Sequence, residues 1–293
     1  MPEISVIMGV YNQRNRRSLE ASIDSILNQT YKDIEFIIYD DGSEKETAKA
    51  LKEISKKDER IVLLGASKNH GLAYSLNACI QKARGRYIAR MDADDISYPK
   101  RLEIQKNYLD EYKEYAFVGC NADLFDDDGV WGSRKMPEKP QKTDFLKYSP
   151  YIHPTVMYRS EIFKKEIGYN TSKENLRCED YELFMRLTAL GFKGANIQLR
   201  LFAYREDEKS QARRSMRYRI SEAKCRYTNF KRLGIMLPKG WIYVLRPIVA
   251  GLIPESLRTR YKRKESANEY KKNSFRFGNY DAGFVDIGLR GEK

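Results

Sequence analysis

Runs of apolar residues of strand length alternate with segments of helical periodicity over the first 120 residues. The strand-like runs occupy 4–10, 34–39, 61–64, 87–91 and 116–120. Between them, apolar residues recur at the spacing of a helix face, as in Leu19, Ile23 and Ile26. Strands that alternate with helices in this way predict a parallel sheet covered by helices on both faces.

Local signals mark several element boundaries. Ser43 to Glu46 has the pattern of a capping box, and Pro99 suits the first turn of a helix. Residues 126–150, rich in Asp, Gly and Pro, predict a turn-rich connection. Further on, the pattern predicts a helix over 179–190 and a long basic helix that ends near residue 233.

The composition is that of a folded protein without a membrane span. Apolar residues make up 41% of the chain and aromatic residues 12%, which is enough for a buried core. The apolar stretch 241–253 is interrupted by Arg246 and Pro247 and is too short to cross a bilayer. The N-terminus lacks the features of a secretion signal, and the four scattered cysteines form no CxxC pair. These features predict reduced thiols in a cytoplasmic protein rather than disulfides or a zinc site.

The positive charge is concentrated in the last third of the chain. The formal net charge is +13; residues 205–293 hold 22 Lys and Arg against 10 Asp and Glu, whereas residues 1–204 hold 32 against 31. A near-neutral body with a basic C-terminal part favours an anionic partner, either lipid headgroups or nucleic acid. The alternative is a set of solvated helix faces.

Three acidic clusters follow predicted strands or open a predicted helix. Asp40-Asp41-Gly42 follows the second strand, Asp92-Ala93-Asp94-Asp95 follows the fourth, and Glu179-Asp180 opens a helix. Ligands of α/β sheets bind beyond the carboxyl ends of the strands. Three carboxylates within four residues repel one another unless a cation or hydrogen-bond donors neutralise them. Such oxygen-rich sites suit Mg²⁺ or Mn²⁺, which bridge to substrate phosphates.

Six motifs occur in a fixed order along the first two thirds of the chain. They are Ser5 to Asn12 (SVIMGVYN), Ser25 to Tyr31 (SILNQTY), Asp40 to Ser43 (DDGS), Asn69 to Leu72 (NHGL), Arg90 to Asp95 (RMDADD) and Glu179 to Leu183 (EDYEL). In this order and spacing they resemble the family 2, GT-A type, nucleotide-sugar glycosyltransferases over about residues 3–205. The resemblance implies an α/β fold with a Rossmann-like, mainly parallel sheet flanked by helices. Beyond it, the charge distribution and the helical pattern predict a basic helical extension at the C-terminus.

The resemblance also implies a domain organisation. Residues 1–205 correspond to the GT-A catalytic domain, with a nucleotide-binding half at about 1–120 and an acceptor half at about 121–205. Beyond this domain, the basic charge and the apolar stretch predict a helical extension over 206–270 that associates with a membrane, and residues 271–293 are a tail without assigned structure.

The residues that bind the donor in the family correspond to a defined set of residues in this sequence. In the family, Tyr11 lies against the nucleotide base, Asp40 or Asp41 reads it, and the diphosphate lies beside Asn69 and Gly71, where free N–H groups of a helix start suit an anion. The full predicted nucleotide-sugar set is Val10, Tyr11, Asn12, Asp40, Asp41, Asn69, Gly71, Asn77, Arg90, Asp92 and Ala93. The alternative for Asp41 is a purely local role in its turn.

The resemblance implies a divalent ion, Mn²⁺ or Mg²⁺, which stabilises the leaving nucleoside diphosphate as a Lewis acid. Asp94 is the first choice of ligand, and Asp92 contacts the ion, its water or the ribose. The alternative for Asp95 is a cap of the following helix. His153 is a further ligand by analogy with some relatives, and the alternative is a structural histidine.

The acceptor hydroxyl needs a base because a free alcohol is a poor nucleophile at neutral pH. Asp180 matches the family's base, and Glu179 orients it or substitutes for it. The alternative is that both residues merely favour the positive end of their helix. One base without a second carboxylate nucleophile predicts a single displacement with inversion, although double displacement stays open.

The predicted function is an inverting, metal-dependent transfer of a sugar from a nucleotide donor, UDP by family frequency, to a saccharide acceptor in cell-surface polysaccharide assembly. The acceptor is predicted to be polyprenyl-linked. The predicted location is the cytoplasm, on the inner face of the plasma membrane, with the stretch 241–253 and the cations of 258–264 on an anionic leaflet. The alternatives for this stretch are an ordinary helix packed on the catalytic domain and an oligomer contact.

Two other functions were weighed against this one. A nucleotidyltransferase is expected to carry a Gly-rich, basic phosphate loop after the first strand, which Gly9-Val10-Tyr11-Asn12 lacks. A nucleic-acid-binding protein needs basic and aromatic residues interleaved along one face. Here the cations cluster beside an apolar stretch instead, so no nucleic-acid partner is predicted.

Overall fold

The computed structural model describes residues 1–165, 167–172, 177–206 and 216–251. Within these residues the strands are β1 (Ile4–Val10), β2 (Ile34–Asp41), β3 (Ile61–Ala66), β4 (Tyr87–Arg90), β5 (Ile96–Ser97), β6 (Tyr115–Asp126), β7 (Gly129–Arg134), β8 (Met157–Arg159) and β9 (Lys193–Arg205). The α-helices are α1 (Arg16–Leu27), α2 (Lys45–Ser55), α3 (Leu72–Lys82), α4 (Arg101–Glu111), α5 (Glu179–Ala189), α6 (Met216–Leu233) and α7 (Gly240–Gly251).

All the described strands join one sheet in the order β3-β2-β1-β4-β8-β6-β9-β5, with β7 paired to β6. The ladders β3-β2, β2-β1 and β1-β4 are parallel, as the alternation of strands and helices predicts. The second half is mixed, because β8, β7 and β5 run antiparallel to their neighbours while β9 runs parallel to β6.

The continuous apolar runs of the first strands follow from burial of both faces of the sheet. Along β1, Val6 and Met8 pack into one hydrophobic cluster with α1, and Ile7 packs into a second cluster with α3 and α5. Since alternate side chains of a strand point to opposite faces, only a strand covered on both sides needs every position to be apolar.

The structure differs from the sequence-based predictions at three places. The connection 126–150 contains the strand β7, and the long strand β9 lies in a segment for which no strand was predicted. The capping box at Ser43 is absent. Helix α2 starts after Glu44 without a side-chain cap. The Ser43 hydroxyl instead accepts a hydrogen bond from the main-chain N–H of Asn12.

The described part of the basic extension packs on the body of the protein. Arg226 of α6 lies over the ring of Tyr181 in α5, at 5.1 Å, and its Nη1 donates to the Leu146 carbonyl at 2.7 Å. Residues 207–215 and 252–293 lie outside the described residues, including the cations of 258–264 and the tail. The division of the chain at 205 and 270 therefore stays a prediction. Among the described helices, none combines the length and the apolar character needed to cross a bilayer.

The buried amide of Gln29 joins α1 to the start of α4, which gives a test of the fold. Its Nε2 donates to the carbonyls of Ser25 and Tyr98, and its Oε1 accepts from the Leu102 amide. We expect Gln29→Leu to lower the free energy of unfolding by about 2 to 4 kcal/mol, because it leaves buried main-chain groups without partners. Urea unfolding measures this change. The exposed control Gln81→Leu is expected to stay within about 0.5 kcal/mol of wild type, and an equal loss in both variants contradicts the account.

Candidate functional site

The carboxyl ends of β1, β2 and β4 meet at one edge of the sheet. Val10 pairs with Asp40 between β1 and β2, and Ile7 pairs with Arg90 between β1 and β4. The polar segments that follow these three strands therefore lie at the edge where α/β sheets bind their ligands.

Tyr11 presents an exposed aromatic ring at this edge. Its side chain is 53% exposed, whereas the preceding Val10 is buried. Asn12, in the left-handed region at φ 49°, fixes the backbone here because its Oδ1 accepts from the Glu44 amide at 2.7 Å. The ring of Tyr11 is thus open to stacking, while Val10 and Asn12 hold the loop that carries it.

The carboxylate of Asp41 organises the Asn69–Gly71 loop. It accepts hydrogen bonds from Asn69 Nδ2 at 2.8 Å and from the amides of His70 at 2.9 Å and Gly71 at 2.7 Å. Asp41 is buried and these contacts take up most of its accepting capacity. Asp40, whose Oδ1 accepts from the Ser43 amide, is the more exposed of the pair and the better candidate for reading a base.

Gly71 opens helix α3 with a backbone that disfavours any other residue. Its φ is +92°, and nothing lies within 4 Å of the position that a Cβ would occupy. The restriction therefore comes from the backbone and not from crowding. With the Asp41 contacts, it places the amide-rich start of α3 beside the ends of β1 and β2.

Asn77 has a structural partner. Its amide donates to the Tyr169 carbonyl at 2.9 Å and accepts from the Tyr169 amide at 2.8 Å. It also lines a cavity of about 580 Å³ between α3 and α5, together with Ile80, Gln81, Phe163, Ile167, Gly168, Tyr169, Asn170, Glu182, Arg186 and Arg232. None of the predicted acidic site residues lines this cavity. This placement favours a role for Asn77 in holding the segment around Tyr169.

Arg90 places a buried guanidinium at the end of β4. Only 1% of Arg90 is exposed, and its Nη1 forms an ion pair with Asp92 Oδ1, although the alignment is not that of a hydrogen bond. Its Nε has no hydrogen-bond partner among the described residues. A buried cation with unused donors requires anionic neighbours or an anionic ligand.

The carboxylates that follow Arg90 crowd one another. Burial, together with the charge of Asp92, raises the pKa of Asp94 to about 6. Burial also raises the pKa of Asp95 well above its usual value, and Asp95 Oδ2 has no hydrogen-bond partner within the described chain. Asp95 Oδ1 accepts from the Arg205 amide at 2.7 Å, so Asp95 ties the loop to the end of β9. It does not cap α4, which starts after Lys100.

Glu179 and Asp180 belong to the same electrostatic site as the Asp92 loop. They form the first turn of α5, and burial followed by the charge of Asp180 raises the pKa of Glu179 to about 7. Arg90 and Asp92 also lie close enough to shift the pKa of Glu179, in opposite directions. Carboxylates separated by almost 90 residues thus lie within electrostatic range of one guanidinium.

His153 lies in an aromatic environment. Its Nε2 is 2.8 Å from the Tyr169 hydroxyl, and its ring meets those of Tyr169 and Phe184 edge to face. Burial, and then the charge of Arg90, lowers the pKa of His153 well below its usual value, so the ring is neutral. This placement favours the structural alternative, and a ligand role for His153 stays a prediction.

Two residues of the site were missed by the sequence analysis. The charge of Arg205 lowers the pKa of Asp94, and Tyr169 links His153 to Asn77. Arg205 ends β9, which was not predicted as a strand, and Tyr169 lies in a segment without regular structure. Neither position carries a local sequence signal.

The donor set of the Asp92 loop fits a hard divalent ion. Asp92 and Asp94 supply carboxylate oxygens, and the raised pKa of Asp94 reports charge that a cation would offset. Within the described chain there is no group of three or more His, Cys, Asp or Glu residues able to hold a metal. Ions such as Mg²⁺ are commonly bound by one or two carboxylates and completed by phosphates and water, so two carboxylates meet this requirement.

Comparison with known proteins identifies the family. Residues 5–167 match the sequence profile of Glycosyl transferase family 2, which covers more than half of the chain. The chain belongs to glycosyltransferase family 2. It is therefore an enzyme of the glycosyltransferase class, as the six motifs indicate.

Two relatives match this chain over almost its whole length. The chain is 38% identical over 269 residues to the putative glycosyltransferase EpsE of Bacillus subtilis, covering 92% of this chain and 96% of EpsE. It is 28% identical over 263 residues to WfaP of Escherichia coli, described as a UDP-Glc:alpha-D-GlcNAc-diphosphoundecaprenol beta-1,3-glucosyltransferase, with coverage of 90% and 99%.

A solved glycosyltransferase structure confirms the predicted fold class. The mannosyltransferase PcManGT from Pyrobaculum calidifontis, solved with GDP-Man and Mn²⁺, superposes with a TM-score of 0.60 at 15% identity. The match covers 92% of this chain and 84% of PcManGT. At this identity the likeness establishes the α/β, GT-A type architecture and nothing about ligands.

The crowding of Asp94 predicts a pH-dependent stability for the metal-free enzyme. Because its pKa is raised from 3.8 to about 6 in the folded state, the folded protein holds this proton more tightly than the unfolded chain. The stabilisation is therefore complete below about pH 4 and lost as the pH rises through 6. At pH 8 we expect metal-free Asp94→Asn to be more stable than wild type by about 1 to 3 kcal/mol, or roughly 2 to 6 °C.

Thermal melts in EDTA at pH 8 and pH 5 measure the difference between the two proteins. It is expected to shrink at pH 5, where Asp94 regains its proton. A difference of the same size at both pH values contradicts the assignment. The matched control, Asp40→Asn in the same buffers, is expected to show no such pH dependence.

Proposed function

We propose that this enzyme transfers a sugar from a nucleotide donor, with UDP as the first choice, to a saccharide carried on a polyprenyl diphosphate in surface-polysaccharide assembly. The observation that carries the proposal is the buried Arg90, which is paired with Asp92 and lies within electrostatic range of Asp94 and Glu179. WfaP supports both the nucleotide and the lipid-linked acceptor, since its description names UDP-Glc and a diphosphoundecaprenol acceptor.

The donor is proposed to lie along the carboxyl edge of the sheet. Tyr11 stacks on the base, Asp40 accepts from its edge, and the start of α3 at Gly71 offers main-chain N–H groups to the diphosphate. Asp41 acts through the loop that it holds. Arg90 contributes its positive charge and its unused Nε donor to the binding of the anionic nucleotide sugar beside the Asp92 loop.

Asp92 and Asp94 are proposed to hold the divalent ion, Mn²⁺ or Mg²⁺. When bound there, the ion supplies Lewis-acid stabilisation of the negative charge on the departing nucleoside diphosphate. That PcManGT, a protein of the same fold, was solved with GDP-Man and Mn²⁺ is consistent with a divalent ion as cofactor.

The proton of the acceptor hydroxyl is proposed to pass to a carboxylate oxygen of Asp180. The acceptor oxygen then forms its bond to the anomeric carbon while the bond to the diphosphate breaks on the opposite face, which inverts that centre. Glu179, with a pKa raised to about 7, is half protonated near neutral pH and limits the negative charge beside Asp180. A base of this kind contributes about 10²- to 10⁴-fold to the rate.

A donor panel with single-site variants tests the chemistry. With the matching nucleotide sugar, Mn²⁺ and acceptor, Asp180→Asn is expected to lower kcat by about 10²-fold or more while nucleotide affinity stays near wild type. Asp94→Asn is expected to lower kcat and also to raise the Mn²⁺ concentration needed for half-maximal activity. Nucleotide release and calorimetric binding of the nucleoside diphosphate measure the two effects separately. Full activity in Asp180→Asn removes that residue from the base role.

The C-terminal helices offer a surface suited to an anionic membrane. Helix α7 buries Val244 and Pro247 while Ile242 is 71% exposed and Leu245 54% exposed. Exposed residues of α6, α7 and their connection form what we call the α6–α7 surface: Arg217, Ile220, Lys224, Tyr227, Lys231, Leu237, Lys239, Trp241, Ile242, Leu245 and Val249.

Aromatic and cationic groups lie together on the α6–α7 surface. The rings of Tyr227 and Trp241 are 5.5 Å apart, and Lys231 Nζ is 4.6 Å from the centre of the Tyr227 ring. Residues 216–251 contain eight Lys and Arg but a single acid, Glu222, which is paired with Arg226. Apolar, aromatic and basic groups in this combination suit the headgroup region of an anionic leaflet, where each cation contributes about 1 kcal/mol. We propose peripheral binding to the inner face of the plasma membrane.

Vesicle binding tests this part of the proposal. Ile242→Glu/Leu245→Glu is expected to lower affinity for vesicles containing phosphatidylglycerol by about tenfold or more, because it removes buried apolar area and adds like charge. The control Leu190→Glu/Leu199→Glu alters equally exposed positions on the body and is expected to bind as wild type. Equal losses in both variants, or equal binding of wild type to neutral phosphatidylcholine vesicles, contradict the surface.

A further inference from the structure

Two buried thiols from distant parts of the chain meet beside the proposed base. Cys178 directly precedes Glu179 at the N-terminus of α5, and Cys225 lies in the middle of α6. Both are free, with exposures of 4% and 3%. Cys178 and Cys225 belong to one buried hydrophobic cluster, and the Cys225 thiol lies near enough to raise the pKa of the Cys178 thiol. The two thiols therefore lie in the same contact between helices.

Contacts that follow this pair in both helices hold α5 against α6. One residue beyond Cys225, the guanidinium of Arg226 covers the Tyr181 ring at 5.1 Å. Nearer the end of α6, Arg232 lies 3.6 Å from Glu182. The thiols thus belong to a packed interface, and their approach is reinforced by neighbours in both helices.

The other two cysteines provide an internal comparison. The Cys79 thiol contacts the main-chain carbonyls of Met8 and Ile37, and the Cys120 side chain contacts Thr155. Both residues are fully buried. Burial raises the pKa of Cys79 to about 12 and that of Cys120 to about 11. They are equally shielded thiols without the thiol neighbour that distinguishes Cys178 and Cys225.

The chemistry that joins two thiols needs an external disulfide as oxidant. A thiolate of one cysteine attacks a small-molecule disulfide, forms a mixed disulfide and releases one small thiol. The second cysteine then displaces the remaining small-molecule part as a second thiol. Two protein S–H bonds and one small disulfide give one protein disulfide and two small thiols. The neighbouring Cys225 side chain, and then burial, raise the pKa of the Cys178 thiol well above its usual value. The exchange therefore starts when α6 moves away from α5.

We propose that Cys178 and Cys225 form a reversible disulfide on exposure to small disulfide oxidants, and that this bond lowers the turnover of the enzyme. A disulfide has an S–S distance of about 2.05 Å, which is shorter than any contact between two unbonded thiols, so the two sulfur atoms must approach each other. Since Cys178 precedes Glu179 and Asp180, the start of α5 moves with it. A misplacement of about 1 Å at a reacting group can cost about 10²-fold in rate. The effect on turnover rests on the proposed base.

Treatment of the native, full-length enzyme with dipyridyl disulfide tests the site. We expect two thiones released for each chain, no pyridylthio group retained, and a peptide that joins Cys178 to Cys225. Cys79 and Cys120 are expected to react with an alkylating reagent only after unfolding. In Cys225→Ser the pyridylthio group is expected to remain on Cys178, because nothing displaces it.

Turnover measured on the same samples tests the consequence. The oxidised wild type is expected to lose at least about tenfold in kcat and to recover with dithiothreitol. Cys178→Ser/Cys225→Ser, which has neither thiol, is expected to keep the kcat of its untreated form under the same treatment. Absence of the Cys178–Cys225 peptide, or equal modification of Cys79 and Cys120, overturns the site. Formation of the bond with unchanged kcat overturns its effect on turnover. A reduced wild type without transferase activity contradicts the proposed function instead.

Discussion

The buried guanidinium of Arg90 is the interaction on which the site depends. It ends a central strand of the sheet, is almost completely shielded from water, and pairs with Asp92. Its charge also acts on Asp94, Glu179 and His153. A cation in this position makes it possible to bury several carboxylates close together. A bound divalent ion would offset their remaining repulsion and would attract the anionic diphosphate.

The sheet topology explains how distant residues reach this cation. The parallel first half brings the ends of β1, β2 and β4 to one edge, and the mixed second half returns β9 beside β6 so that Arg205 reaches Asp95. The segment around Tyr169 closes the other side through Asn77 and His153. The proposed donor and acceptor groups therefore come from both halves of the fold.

The sequence predicted the first half of the fold well because those strands are buried on both faces and read as continuous apolar runs. It missed β9, in which Gln198 and Arg200 interrupt the apolar pattern, and it misread Ser43, whose hydroxyl bonds to a loop 31 residues away. The role of Asp41 was equally invisible, because its partners lie in a loop that only the tertiary structure brings near. Local sequence patterns indicate burial and turns. Contacts between loops that are distant in the chain produce no such pattern in the sequence.

The central claim is that the Asp92 loop and the start of α5 act on one bound sugar. A crystal structure of Asp180→Asn with the intact nucleotide sugar and Mn²⁺ tests it most directly. The account predicts the ion on Asp92 and Asp94, and the anomeric carbon between that ion and residue 180, with the residue on the face opposite the diphosphate. A donor bound elsewhere, or residue 180 facing a separate pocket, contradicts it.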